Sequence, residues 1–345
     1  MATAPGQARP WDPVVLSRVR HLHLKARVLT DALLQGAHRS RRVGQAIEFA
    51  DYQEYLPGMD LRHLDWRVWG RSDRLVVKHF ETETELPVTL VVDLSADLAT
   101  GDPKRARGGI LGALTGRRQA PTAERGLPDL EHSKAGFAIT LAATLAYFFH
   151  LHREPIGIEL IAGDGAPFTS LPPRSGKTAL QTIFLALASV RPGGQARLAE
   201  TLARVGGRTR RRSMVLVFTD GMEEPAQWLP SAAAFAKRRT DLRFFHLYDR
   251  REWGLDLDQP SKLYSPEDGE ELAVDPAAAR QALREVATEY VEEVRQGISR
   301  FGGIYLPTPT DGDLEEALRR GLRAAPAPPG LDPFELPGSK SGSRA

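Results

Sequence analysis

At 345 residues the chain is long enough for one large core with additions, and 46 lysines and arginines against 44 aspartates and glutamates leave a formal net charge of +2. A balance that even is too slight to imply a nucleic-acid or membrane partner from bulk electrostatics alone. Zero cysteines exclude disulfides, thiolate metal sites and a cysteine nucleophile.

The chain opens MATAPGQARPWDP, without the basic-then-apolar layout of a signal peptide. Residues 12 to 35 place Val14, Val15, Val19, Leu22, Ala26, Leu29 and Leu33 three and four apart, which predicts an amphipathic N-terminal helix that Gly36 ends. The basic HRSRR that follows, His38 to Arg42, has no aromatic residue to stack on a base and reads as a solvated loop.

Residues 36 to 86 read as a small subdomain with a turn at Pro57-Gly58 and a strand at Leu75 to Phe80. Asp60, Arg62, Asp65, Arg67 and Arg71 alternate in sign around Trp66 and Trp69. Two readings stand. One is a salt-bridged structural unit fixed by its indoles, with Asp60, Arg62, Asp65 and Arg71 in a partly buried network around Trp66. The other is a docking face, because Trp and Arg most often carry interface energy.

The main domain is expected over residues 87 to 323. Its first strand is read from PVTLVVDLSAD, Pro87 to Asp97, a short, Val-rich apolar run that stops on Asp93, Ser95 and Asp97. Ser213 to Asp220, SMVLVFTD, repeats the pattern. Adjacent parallel strands of this kind bring Asp93 and Asp220 to the carboxyl edge of a sheet, where open α/β sheets hold ligands. Between them, residues 100 to 132 are rich in Gly, Pro and Arg with little periodicity, and read as an inserted surface loop or a lid.

Ala135 to Leu151 predicts an apolar helix packed on the sheet. Its most apolar stretch, Phe137 to Phe149, falls short of the ~20 residues that span a bilayer, so the expectation is a soluble, cytoplasmic protein with no membrane span. Pro155 to Ile161 and Pro167 to Leu171 read as a strand pair, and Thr178 to Val190 as a helix. SGKT at Ser175 to Thr178 is no Walker A loop, because Leu171 stands where that motif needs glycine. A short helix at Leu198 to Val205, a helix at Trp228 to Arg239 and a strand at Leu242 to Tyr248 follow. Residues 276 to 300 predict a long helix with Ala282, Val286, Tyr290, Val294 and Ile298 inward, before a strand at Gly303 to Leu306 and a helix at Leu314 to Leu322. Residues 324 to 345 are a Pro, Gly and Ser tail that cannot bury a core. This alternation predicts an α/β, doubly wound, mostly parallel sheet with one antiparallel edge strand.

The run Glu48-Phe49, Tyr55, Pro57-Gly58, Asp60, Arg62, Asp65-Trp66, Arg71, Val77-Lys78 and Glu81, followed by a strand ending DxS, resembles a bacterial family catalogued as domain of unknown function fifty-eight. Met59, Gln53 and Gly70 depart from its usual pattern. The resemblance implies a von Willebrand factor A-like domain and, as partner, a MoxR-type AAA+ ATPase or its client protein. It also implies a metal-ion-dependent adhesion site at the sheet edge. By motif, Asp93, Ser95 and Asp220 match that site, Asp97 stands for its last serine, and its threonine is missing, with Gln195, Ala196 and Arg197 around the position. Oxygen ligands of this type suit Mg²⁺. The residues leave two outcomes open: the carboxylates converge on a cation, or Arg197 neutralises them without metal.

The function expected is a non-enzymatic protein-interaction module, an adaptor or partner of the ATPase in chaperone-like assembly or maturation of clients. The alternative is a Mg²⁺-dependent phosphohydrolase with Asp93 as nucleophile. Ser95 stands where the acid-base carboxylate of such enzymes belongs, which counts against it.

Overall fold

The computed structural model describes residues 13–39, 52–55, 66–72, 74–78, 85–99, 133–162, 169–250, 261–264, 271–274 and 276–323. The segment 100–132 and the tail from Ala324, each given a role above, lie outside the described residues, as do Asp60, Arg62 and Asp65. The chain divides into two compact units, one of Met1–Leu33 with Leu86–Ala345 and one of Leu34–Glu85.

The larger unit is built on a six-stranded sheet. In chain order its strands are β1 (Val88–Asp93), β2 (Ile156–Ile161), β3 (Ser170–Arg174), β4 (Met214–Thr219), β5 (Asp241–Tyr248) and β6 (Ile304–Pro309), arranged in space as β6-β5-β4-β1-β2-β3. All neighbours are parallel except β3, which pairs antiparallel with β2 at one edge. The two carboxylate-ended strands are adjacent and in register, Val88 opposite Met214 and Val92 opposite Phe218. Both are apolar throughout because both faces are covered, and Leu90, Val91, Val92, Leu216, Val217 and Phe218 are all buried.

Helices close the two faces. On one, Leu198, Leu202 and Val205 of α3 (Leu198–Arg208), Trp228, Ala232 and Phe235 of α4 (Pro225–Lys237), and Val294 and Ile298 of α5 (Pro276–Arg300) pack over Val91, Val215, Val217 and Phe244. Trp228 stacks on Phe244 with centroids 5.1 Å apart. On the other lies α1 (Lys134–Leu151), against β1 and against α2 (Lys177–Ser189), with α6 (Leu314–Leu322) beside it. The N-terminal helix α0, Pro13–Arg39, turns Val15, Leu22, Ala26 and Leu33 inward, and the Thr30 hydroxyl donates to the Thr144 carbonyl of α1 at 3.4 Å.

Two sequence expectations are corrected here, and one element is new. Val14 is exposed, because it lies about 100° around the helix from the buried stripe that starts at Val15. The first half of α5 does not turn inward as its spacing predicted: Ala282 is exposed and Val286 is 63% exposed, and burial begins only at Val294. A two-stranded antiparallel hairpin, Ser261–Tyr264 with Glu271–Val274, was not read at all.

Gly157 in β2 shows how tightly the edge strand is laid on. A Cβ there would stand 2.6 Å from the Leu171 carbonyl oxygen and 2.7 Å from the Pro173 nitrogen, both backbone atoms that cannot swing aside. Gly157→Ala is expected to cost about 1–3 kcal/mol by overpacking. A urea midpoint unchanged from wild type would refute the close approach.

The smaller unit contains the antiparallel pair Tyr52–Glu54 and Val76–Lys78, and a short helix, Trp66–Ser72. Arg74 reaches Glu54 across the pair at 2.6 Å, and the Tyr55 amide donates to the Leu75 carbonyl. Its indoles do not fix a core: Trp66 is 59% exposed and Trp69 44%, so the structural reading fails for these two residues.

Candidate functional site

The carboxyl ends of β1 and β4 place four polar groups in the interior. Asp93 is the last residue of β1 and is fully buried. One of its carboxylate oxygens accepts the Ser95 amide at 3.0 Å, and the other accepts the Thr219 hydroxyl at 2.6 Å. The Thr219 hydroxyl in turn accepts the Gly221 amide at 2.9 Å, which holds the turn after β4 where Gly221 adopts φ +62°. The Ser95 hydroxyl is buried and, though near enough to Asp93 to favour its ionised form, meets no hydrogen-bond partner of regular geometry.

Asp220 is also buried, and its partner is Lys134, whose ammonium lies 3.0 Å from Oδ2 with the two side chains 6% and 4% exposed. Lys134 is the first residue of α1, immediately after Ser133, whose hydroxyl caps the helix by accepting the Gly136 amide at 3.1 Å. A cation in the first turn faces the positive end of the helix dipole. Its place there is explained by the carboxylate it meets.

Burial pushes the Asp93 carboxyl up to about 7, and the negative Asp220 adds to the shift, while the hydrogen bonds from Thr219 and Ser95 pull the other way. Behind Asp220, His246 of β5 is fully buried and burial holds it down at about 4, so it is neutral. Its Nε2–H donates to the Asp220 carbonyl at 2.8 Å, and its Nδ1 accepts from the Tyr305 hydroxyl at 2.5 Å. Tyr290 of α5 donates to the Gly221 carbonyl and is pushed up in pKa by burial. Asp220 thus sits in a fixed frame of neutral donors with one ammonium.

The expected ligand set is only partly brought together. Asp93, Ser95 and Asp220 share the strand ends, whereas Asp97 lies in the 3-10 turn Ala96–Ala99. Among the described residues no group of three or more His, Asp or Glu side chains is placed to hold a metal ion. Arg197, expected to neutralise the carboxylates, instead lies 3.7 Å from Glu200 at the surface, and Lys134 takes that role. A divalent ion on Asp220, about 4 Å from that ammonium, would meet a repulsion on the order of 8 kcal/mol at an effective dielectric of 20. The residues therefore do not fit the Mg²⁺ that the resemblance implied.

Lys134, Thr219, His246, Tyr290 and Tyr305 were all missed in the sequence as members of this site. A single charge opening an otherwise apolar helix, KAGFAITLAATLAYFF, is the signal that marks Lys134.

The fold and the strand-end carboxylates define an α/β protein with helices on both faces of a six-stranded, mostly parallel sheet. The chain belongs to the family described as protein of unknown function DUF58, whose model matches residues 51–117 and 128–296. It is 27% identical over 307 residues to the uncharacterized proteins Mb1516 of Mycobacterium bovis and Rv1480 of Mycobacterium tuberculosis, covering 88% of this chain and 87% of each relative. Among solved structures it is similar to the conserved hypothetical protein BatB of Bacteroides thetaiotaomicron, with TM-score 0.37 and 14% identity over 68% of this chain and 95% of that one. It is similar at the same TM-score, with 13% identity, to an aerotolerance-related membrane protein of Bacteroides fragilis, covering 68% of this chain and 96% of that one. An uncharacterized membrane-spanning protein of Vibrio fischeri matches at TM-score 0.19 and 12% identity, covering 67% and 94%. Likeness at this level does not carry the von Willebrand factor A type over to this chain.

Two expectations are corrected here, the cytoplasmic location and the partner, a MoxR-type AAA+ ATPase or its client protein with no membrane span. Two of the solved structures just named are described as membrane proteins, which is said of those proteins alone. The helix read as too short, α1, is 18 residues long and by length and composition is sufficient to cross a membrane, although 78% of it is buried inside this fold. The sequence reading gave the helix as Ala135 to Leu151, one residue short of Lys134–Leu151, but measured only its densest apolar stretch, Phe137 to Phe149, against the thickness of a bilayer. Neither location nor partner is retained.

Proposed function

We propose that the chain is a non-enzymatic protein-interaction module, with a von Willebrand factor A-like domain whose adhesion site is degenerate. The observation that carries this reading is the pair of exposed indoles, Trp66 and Trp69, packed edge-on at 5.9 Å on one short helix that also bears the exposed Arg71. Two adjacent indoles left in water are costly unless a partner covers them, and Trp with Arg is the combination that dominates interface energies. The phosphohydrolase alternative draws nothing from the geometry. A phosphoryl acceptor needs an open, ionised oxygen, and both oxygens of Asp93 are buried and already hydrogen-bonded.

The test uses the full chain, tagged and chemically crosslinked in its native host, with partners read by mass spectrometry. Trp66→Ala with Trp69→Ala is expected to abolish at least one specific crosslink while circular dichroism stays that of wild type. EDTA is expected to leave the crosslink intact. A set of crosslinks indifferent to both tryptophans would overturn the assignment of this face.

A further inference from the structure

We infer that the ammonium of Lys134 is the resident cation of the strand-end site, standing in place of a divalent ion, so that the site is assembled permanently and without metal. The inference rests on the interior of the larger unit and is independent of the tryptophan face.

Three features converge on it. First, Asp220 Oδ2 and Lys134 Nζ are 3.0 Å apart with both side chains almost wholly buried, so the carboxylate's closest cation is covalently part of the chain. An ammonium offers three rotatable donors and demands no octahedral shell, so it suits a site too dry to keep the several waters that Mg²⁺ retains. Second, the position is built rather than incidental. Lys134 follows the N-cap Ser133, so the start of α1 is fixed, and the ammonium is held against an unfavourable dipole end. Third, the oxygen atoms that would otherwise serve a metal are still present. Ser95 retains a buried hydroxyl with no regular partner, 1% exposed as a residue, beside Asp93. Carboxylates and a hydroxyl are donors that a cation takes, and here the cation beside Asp220 is a side chain.

Removing the ammonium should therefore uncover a metal site. Lys134→Ala frees Asp220 and opens a cavity about the size of the lost side chain, beside the strand end that carries Asp93 and Ser95, where a divalent ion can take the place of the ammonium. Lys134→Ser does the same and adds one more oxygen. Thermal unfolding and Mn²⁺ titration followed by electron paramagnetic resonance are run on wild type and both variants, in EDTA and in millimolar MnCl₂ or MgCl₂.

Wild type is expected to show the same midpoint in all conditions and no stoichiometric Mn²⁺. At least one variant is expected to bind one Mn²⁺ and gain roughly 5 °C or more at saturating metal. That gain is expected to vanish when Asp220→Asn is added. Stoichiometric Mn²⁺ on wild type that Asp220→Asn removes overturns the inference outright. So does indifference of both variants to metal, whether they are folded in EDTA or are refolded from urea with the ion present.

Discussion

Lys134→Met is expected to lower the unfolding free energy by about 3–5 kcal/mol, the cost of leaving a buried carboxylate without its counter-charge. The methylene stem is nearly preserved by methionine, so the loss reports the charge and not a cavity. Among the described residues Lys134 is the buried cation on Asp220: the His246 ring contacts the Asp220 backbone carbonyl, and the ring is neutral. Adding Asp220→Asn to Lys134→Met removes the orphaned charge and is expected to recover much of the loss, which a double-mutant cycle in urea reads as a coupling of roughly 2 kcal/mol or more. Single and double variants of equal stability would mean that the pair is not a buried unit.

The second large effect is on pH. For Asp93 the unfolded value is 3.8 and the folded value about 7, so between those limits the folded chain keeps a proton that the unfolded chain has released. Its contribution to stability falls as pH rises through that window, by at most about 1.4 kcal/mol per pH unit. For His246 the unfolded value is 6.5 and the folded value about 4, so there the unfolded chain holds the extra proton and stability rises with pH over the same range. The two slopes oppose each other between pH 4 and 6.5. Wild type is expected to be nearly flat across that interval as far as these groups decide it. Asp93→Asn unmasks the histidine, and its stability climbs with pH; His246→Gln unmasks the aspartate, and its stability falls. Denaturant midpoints at half-unit pH steps give the slopes, and parallel profiles for wild type and Asp93→Asn would refute the assignment.

The centre of the sheet was legible because its physics is local. A strand covered on both faces has to be apolar at every position, and VTLVVD and MVLVFT are, so both existence and adjacency could be read from the chain. The edge was less legible. SLPPR carries two prolines, which argue against a strand anywhere except at an edge, and the reading placed that strand three residues early. The hairpin at 261–274 was missed because SKLY and ELAV are too short and too mixed to show a period. In α5 the stripe from Ala282 to Ile298 has good helical spacing, but spacing records a face and not whether anything covers it.

The site divided in the same way. Asp93 and Asp220 announced themselves at strand ends, but Lys134 meets Asp220 across 86 residues of sequence, and only the crossing of α1 over the sheet brings them together. Arg197 looked the better neutraliser because it lies in the loop where the family's threonine belongs. Its long side chain finds Glu200 one helical turn away and stays in water, where a surface pair costs less to form than a buried one.

The prolines of the outermost strands carry a consequence for how anything else can attach. Strand β3 holds Pro172 and Pro173, and β6, at the opposite edge, holds Pro307 and Pro309. In β6 both prolines have the same parity, and since the strand bonds β5 on one side, the missing donors are those that face away from the sheet. A foreign strand laid along either margin would find gaps in the ladder where it needs amide protons. Growth of the sheet by annealing with another chain, whether a client peptide donating a strand or a second copy stacking edge to edge, is thereby discouraged at both ends.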